Sequence, residues 1–200
     1  MASGSPTLRS LAIGGAVPFD IPPDAPQPGG GTLLSTGDNR LLQTAAQGDV
    51  LWGTHATLCT VGSVTQSCAR VVRVGVGQTT AGELTASLTQ QSTLAGRSGS
   101  YLHHPGIAVT SSEALVVPVL QSSPTSFLST FVATRSPGAQ RFRGLSLTAG
   151  TCNQASNRTG DYLGAQTAPD LASVWVVGER ATTIAGECQW ETQVGQITLP

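Results

Sequence analysis

The sequence predicts an all-β protein, and three observations carry that prediction. Gly, Ser and Thr abound while strong helix formers are scarce: Lys is absent, and Asp and Glu together number 11 in 200 residues. That balance suits short strands joined by tight turns. Apolar and β-branched runs of strand length alternate with turn signals along most of the chain. A pattern of strand, turn, strand, insertion and strand also recurs at a spacing of roughly 60 residues.

Residues 1–31 stand apart from the recurring units. The alternation over residues 7–13 reads as a lone strand. Pro18, Pro22, Pro23, Pro26 and Pro28, followed by Gly29-Gly30-Gly31, make an extended connector that excludes helix and joins a sheet only at an edge.

The units then follow over residues 32–200. The first, at about 32–95, offers strands at 40–46, 50–56 and 69–76, with 84–89 as an outermost strand. The second, at about 96–140, offers 101–109, a turn at Ser111-Ser112-Glu113, then 115–120 and 127–133. The third, at about 141–200, offers 162–167, a turn around Pro169-Asp170, then 174–177 and 192–199. The pattern is propeller-like rather than sandwich-like, so the expected fold is a partial β-propeller of about three blades built from short antiparallel strands. Closed propellers have roughly four to eight blades. Three blades leave two apolar faces in need of a cover, through missing N-terminal blades, self-association or collapse into a sandwich. The Pro-rich entry after a lone strand favours a chain that is the C-terminal part of a longer protein.

Four cysteines allow three pairings. Cys59 and Cys68 flank a polar hairpin tip, and Cys152 and Cys188 lie near the two ends of the last unit, so local closure favours Cys59 with Cys68 and Cys152 with Cys188. By the chain-entropy estimate these bridges contribute about 2.5 and nearly 4 kcal/mol. The even count points to an oxidising compartment, extracellular or periplasmic. The first six residues lack the basic and apolar regions of a secretory signal. A net charge of -1 with ten scattered arginines excludes a phosphate-tracking surface, and nucleic acid is not an expected partner. No apolar run reaches the roughly 20 residues of a membrane-spanning helix. C-x-x-C knuckles are missing and His103-His104 is the one paired imidazole site; adjacent strand residues point to opposite faces, so neither metal nor cofactor is expected. Asn157-Arg158-Thr159 is a glycosylation sequon, meaningful only in a source that glycosylates secreted proteins.

The run Arg158-Thr159-Gly160-Asp161-Tyr162-Leu163-Gly164, then Val174-Trp175-Val176-Val177-Gly178-Glu179, resembles the closing blade of secreted bacterial sialidase-like (BNR-type) β-propellers. Tyr101-Leu102-His103-His104-Pro105-Gly106-Ile107-Ala108 is similar to the opening of the preceding blade. The chain departs from that family in lacking an intact Asp-box, the S-x-D-x-G-x-x-W turn. What the resemblance implies for catalysis is a Tyr nucleophile activated by a Glu, an Asp acid/base and several Arg on a substrate carboxylate. The matching residue types here are Tyr162, Glu179, Asp161 and Arg158, all from one unit, and fold alone hosts many functions.

The expected role is therefore an extracytoplasmic binding or scaffolding module rather than an enzyme, with carbohydrate or protein as its partner. Its expected contact surface is Arg40, Gln43, His103, His104, Asp161 and Tyr162, at the axis-facing ends of the inner strands. Two alternatives are a sialidase-like glycoside hydrolase completed by missing blades, and a subunit that binds a partner chain through its exposed blade faces. Asp161 and Glu179 discriminate: two free carboxyls across an open, Arg-lined pocket suit glycoside hydrolysis, whereas burial in a strand-end hydrogen-bond network suits a scaffold. Trp52 and Trp175 are both expected in the core between blades.

Overall fold

The computed structural model describes residues 7–16, 18–161 and 163–199. Strands occupy 54% of the described residues, and no α-helix forms among them. The strands build three antiparallel sheets, and in the first and third every strand pairs with its sequence neighbour. The first sheet runs β1 (Gln43–Gln47), β2 (Val50–Val61), β3 (Val64–Gln78) and β4 (Leu84–Leu94) in that order. In the middle sheet, β5 (Tyr101–His103) and β6 (Ala108–Val109) both pair with β7 (Leu115–Ser123), followed by β8 (Ser126–Arg135) and β9 (Arg143–Thr148). The third is β10 (Gly164–Thr167), β11 (Ser173–Ile184) and β12 (Glu187–Thr198). β9 continues the middle sheet past residue 140, where the sequence places a unit boundary; the segment around Pro137-Gly138 is the β8–β9 connection.

The sheets stack face to face, with the middle one covered on both sides. Side chains alternate along a strand, and β7 uses both faces. Val117 and Val119 join Trp52, Val71 and Leu102 in the core against the first sheet. Val116 joins Val132, Val174, Val176 and Ile197 in the core against the third. Leu120 meets Leu34, Leu128, Leu163 and Ala181 in a further cluster. This is why residues 115–120 form an unbroken buried apolar run rather than an alternating one.

Close approach of the second and third layers requires glycine. A Cβ on Gly178 would lie 2.3 Å from Thr130 Oγ1 across the sheet interface, where that hydroxyl donates to the Glu179 carbonyl at 2.7 Å.

The N-terminal segment is a strap, not a strand. Residues 7–13 carry no sheet pairing, and among the described residues the only strand-like feature before β1 is the Ala25–Leu34 bridge around a 3-10 turn at Pro28–Gly30. The prolines cannot supply a full ladder, so the segment lies across other elements instead. Arg9 Nη1 donates to the Gly82 carbonyl, Gln91 donates to Gly15, and the Phe19 ring packs 4.8 Å from His55. These contacts carry it across the outer face of the first sheet, where Val72, Val74 and Val76 are half-buried. Further on, Gln27 exchanges hydrogen bonds with Gln154, and Ser35 N–H donates to Asn157 O at 2.8 Å, tying the strap to the loop before β10.

Two disulfides join Cys59 to Cys68 and Cys152 to Cys188, the locally closed pairing, and no described cysteine is free. The first crosses the β2–β3 hairpin, and the second ties the loop after β9 to β12. Both bridges suit an oxidising environment. Among the described residues, no helix is long and apolar enough to cross a membrane.

Candidate functional site

The innermost strands of the three sheets converge, and Gln43 joins them. Its Nε2 donates to Ala165 O on β10 at 2.8 Å, while its Oε1 accepts the Ile107 N–H at 3.0 Å. Thr54 Oγ1 adds a bond to Pro105 O at 3.0 Å. Gln43 is thus engaged in holding the sheets together, and a cavity of about 300 Å³ opens beside it between β1, β6 and β10.

His103 and His104 do not diverge as strand alternation predicts. His104 has φ +47°, a left-handed conformation rare outside glycine, and this breaks the expected 101–109 strand into β5 and β6. The turn brings the two Nδ1 atoms to 2.8 Å, so one ring donates to the other. Burial, with the neighbouring His104 adding to it, pushes the fully buried His103 well below the ordinary imidazole range. Burial also lowers His104, against the opposing pull of Asp161 and Asp38. The pair is buried, and burial disfavours the charged form of both rings. Among the described residues, no group of three or more His, Cys, Asp or Glu is placed to hold a metal ion.

The Gly160 to Glu179 stretch separates its two acids by environment. Asp161 is exposed and pairs with Arg158 rather than with backbone N–H groups. Glu179 is buried and accepts the Gly160 N–H at 2.7 Å. A Cβ at Gly160 would lie 2.6 Å from Glu179 Oε2, so any larger residue there would push the carboxylate aside. Burial raises the Glu179 pKa, the Gly160 hydrogen bond opposes the shift, and the Asp161 charge adds to it. Arg40 pairs with Asp38 at the surface. The fold therefore gathers His104, Asp38, Asp161 and Arg158 within electrostatic reach, with Glu179 close to Asp161. Tyr162 lies outside the described residues.

Two further cavities border the middle sheet, the smaller of them between it and the first sheet. A groove of about 840 Å³ runs between the 95–100 loop and the β7–β8 turn. That loop is held by buried Gln66, which donates to Ser100 O and accepts from Gly99 N–H, both at 2.8 Å. The other, about 190 Å³, is lined by Trp52, Arg73, Gln90, Glu113, Arg135 and Gln140. Sequence reading places Trp52 correctly in the core between sheets but assigns no role to Arg73 or Arg135. The available signal is parity, because Arg73 stands directly opposite Trp52 on the face of the sheet that carries Val71. None of the three cavities is lined by Asp161 or Glu179.

Trp175 departs from expectation. It points away from the middle sheet, on the opposite face from Val174 and Val176, with Val177 beside it and Val194 directly across from Val177. Trp190 has the same parity as Val194 on β12; the two are 62% and 63% exposed. The chain matches no family model, no curated protein and no solved structure.

Proposed function

We propose that the chain is an extracytoplasmic binding or scaffolding module of stacked, propeller-like sheets, not a hydrolase. The observation that carries this reading is the state of Glu179. Its carboxylate is buried against the Gly160 N–H and borders none of the described cavities, while its nearest acidic neighbour is paired with Arg158 at the surface. Hydrolysis of a glycoside needs two carboxyl groups free to face the bond from either side. Gln43, His103 and His104 are likewise engaged within the fold, which leaves Arg40 and Asp161 as the polar contact surface at this end. The resemblance to sialidase-like propellers enters this reading as an architecture and not as an activity.

A screen of glycans and chromogenic glycosides tests it. The expected result is no turnover, and unchanged ligand binding in Glu179→Gln. Turnover that Asp161→Asn abolishes would establish the hydrolase instead.

A second reading is favoured by the outer face of the third sheet. Trp175, Val177, Trp190 and Val194 present apolar side chains there, whereas the strap crosses the corresponding face of the first sheet. The occupant we assign is a second copy of this chain, because the same kind of apolar face already stacks sheet on sheet twice within it. Light scattering over a concentration series should show a dimer that Val194→Asp dissociates. A chain that stays monomeric throughout removes this reading and leaves the first intact.

A further inference from the structure

Arg135 ends β8 with its side chain between the first and middle sheets. The residue is 6% exposed, its Nη1 has no hydrogen-bond partner, and no ion pair holds it among the described residues. A buried cation without a counter-charge is costly. What holds the guanidinium is aromatic: its Cζ lies 5.2 Å from the Trp52 ring centroid and 5.3 Å from that of Phe142. Such contacts stabilise the charge through the ring faces but leave the N–H edges unsatisfied.

A second guanidinium shares the same indole. Arg73 Cζ lies 5.4 Å from the Trp52 centroid. Burial and then the Arg73 charge lower the Arg135 pKa, the signature of two cations held close together. The Trp52 indole N–H is buried and unpartnered as well. Donors from β2, β3 and β8 thus border one cavity, with Glu113 as the only acid in its lining. Glu113 reaches Arg73 at 3.5 Å from a tight turn in which it takes φ +63°. Its side chain is about half exposed, so it is free to swing away.

We propose that this pocket binds a tetrahedral oxyanion, a sulfate or phosphate group, which satisfies Arg135 and displaces Glu113 from Arg73. A carboxylate is satisfied by one guanidinium fork, whereas a tetrahedral oxyanion accepts hydrogen bonds from several directions at once. The charges agree: with Glu113 displaced, two guanidinium groups face the ligand. At about 190 Å³ the cavity is smaller than the roughly 300–1,000 Å³ that encloses a whole small molecule. It takes an anionic head group and leaves any attached body outside. This inference goes beyond the scaffold reading and does not depend on it, since it concerns a different end of the sheet stack.

Calorimetry on the full, disulfide-bonded chain at constant ionic strength tests the proposal with inorganic sulfate, inorganic phosphate, a sulfated monosaccharide and acetate. Saturable one-to-one binding of sulfate or phosphate, tighter than acetate, is expected. Tighter binding of the sulfated sugar than of inorganic sulfate identifies a ligand-borne group; equal affinity identifies the free ion. Arg135→Lys keeps the charge but loses the fork and should weaken binding by about tenfold or more. Glu113→Gln, at the half-exposed mouth, should strengthen it by several-fold while leaving the melting temperature near its starting value. Should Arg135→Lys fail to fold, Glu113→Gln decides alone. No saturable oxyanion binding, preference for acetate, or affinity unmoved by Glu113→Gln would overturn the proposal.

Discussion

Replacing Gln43 with Leu should cost the protein about 3 kcal/mol. Leucine fills a similar volume, so the loss is that of hydrogen bonding rather than packing. Two buried backbone groups lose their partners: the Ile107 N–H, at 3.0 Å, and the Ala165 carbonyl, at 2.8 Å. A buried polar group left unsatisfied costs about 1–3 kcal/mol. The lower half of that range applies to each, because Gln43 itself is only half-buried and the adjacent cavity of about 300 Å³ gives water partial access. For a domain of this size, each kcal/mol lowers the melting temperature by about 2–4 °C, so the expected fall is about 6–12 °C. Urea denaturation at pH 7 with the disulfides intact measures it, with Thr44→Ala on the exposed side of the same strand as control at under about 0.5 kcal/mol. A loss below about 1 kcal/mol for Gln43→Leu would refute the claim that this one side chain joins the inner strands.

The remaining predictions concern other layers of the fold. Cys152→Ser with Cys188→Ser should destabilise by up to about 4 kcal/mol, and Cys59→Ser with Cys68→Ser by about 2.5, a difference set by loops of 36 and 9 residues and readable from urea midpoints. Gly178→Ala should cost about 1–3 kcal/mol by overpacking against Thr130, seen as a lowered midpoint with an unchanged slope. His55, His103 and His104 all have folded pKa values below their ordinary 6.5, so the unfolded chain takes up protons first as the pH falls. Stability from these groups is full above pH 6.5 and declines below it, by up to about 1.4 kcal/mol per pH unit for each proton taken up. Midpoints measured from pH 8 to 5 should show that decline, and His103→Asn should flatten it. Glu179 has the opposite sign, its pKa being raised, so Glu179→Gln should be neutral or mildly stabilising at pH 7, with the Gly160 hydrogen bond kept.

Much of the architecture was legible because it rests on local signals. Turn residues and the period-2 pattern locate the hairpins, and the short spacings within each half of the chain identify both disulfides. What escaped is what depends on tertiary context. The His103-His104 pair was read through strand alternation, but the left-handed backbone at His104, just before Pro105, turns both rings together. Alternation in residues 7–13 suggested a strand, yet the structure gives that segment no pairing partner. Trp52 and Trp175 look alike in sequence, each in the long second strand of a sheet. One is buried because another sheet faces it, and the other is exposed because none does. Arg135 carried no signal at all, since an arginine at the end of a strand ordinarily reaches solvent.

The strap across the first sheet has a consequence for how copies of this chain meet. It gives the stack a head and a tail: the face bearing Phe19 on His55 is occupied, while the face bearing Trp175 and Val194 is open. Head-to-tail addition would require the strap to be displaced from every subunit but one. Tail-to-tail contact requires nothing to move, relates the copies by a two-fold axis and uses up the open face on both. Growth then ends at two, because symmetric pairing of a single patch closes on itself and cannot propagate into a filament.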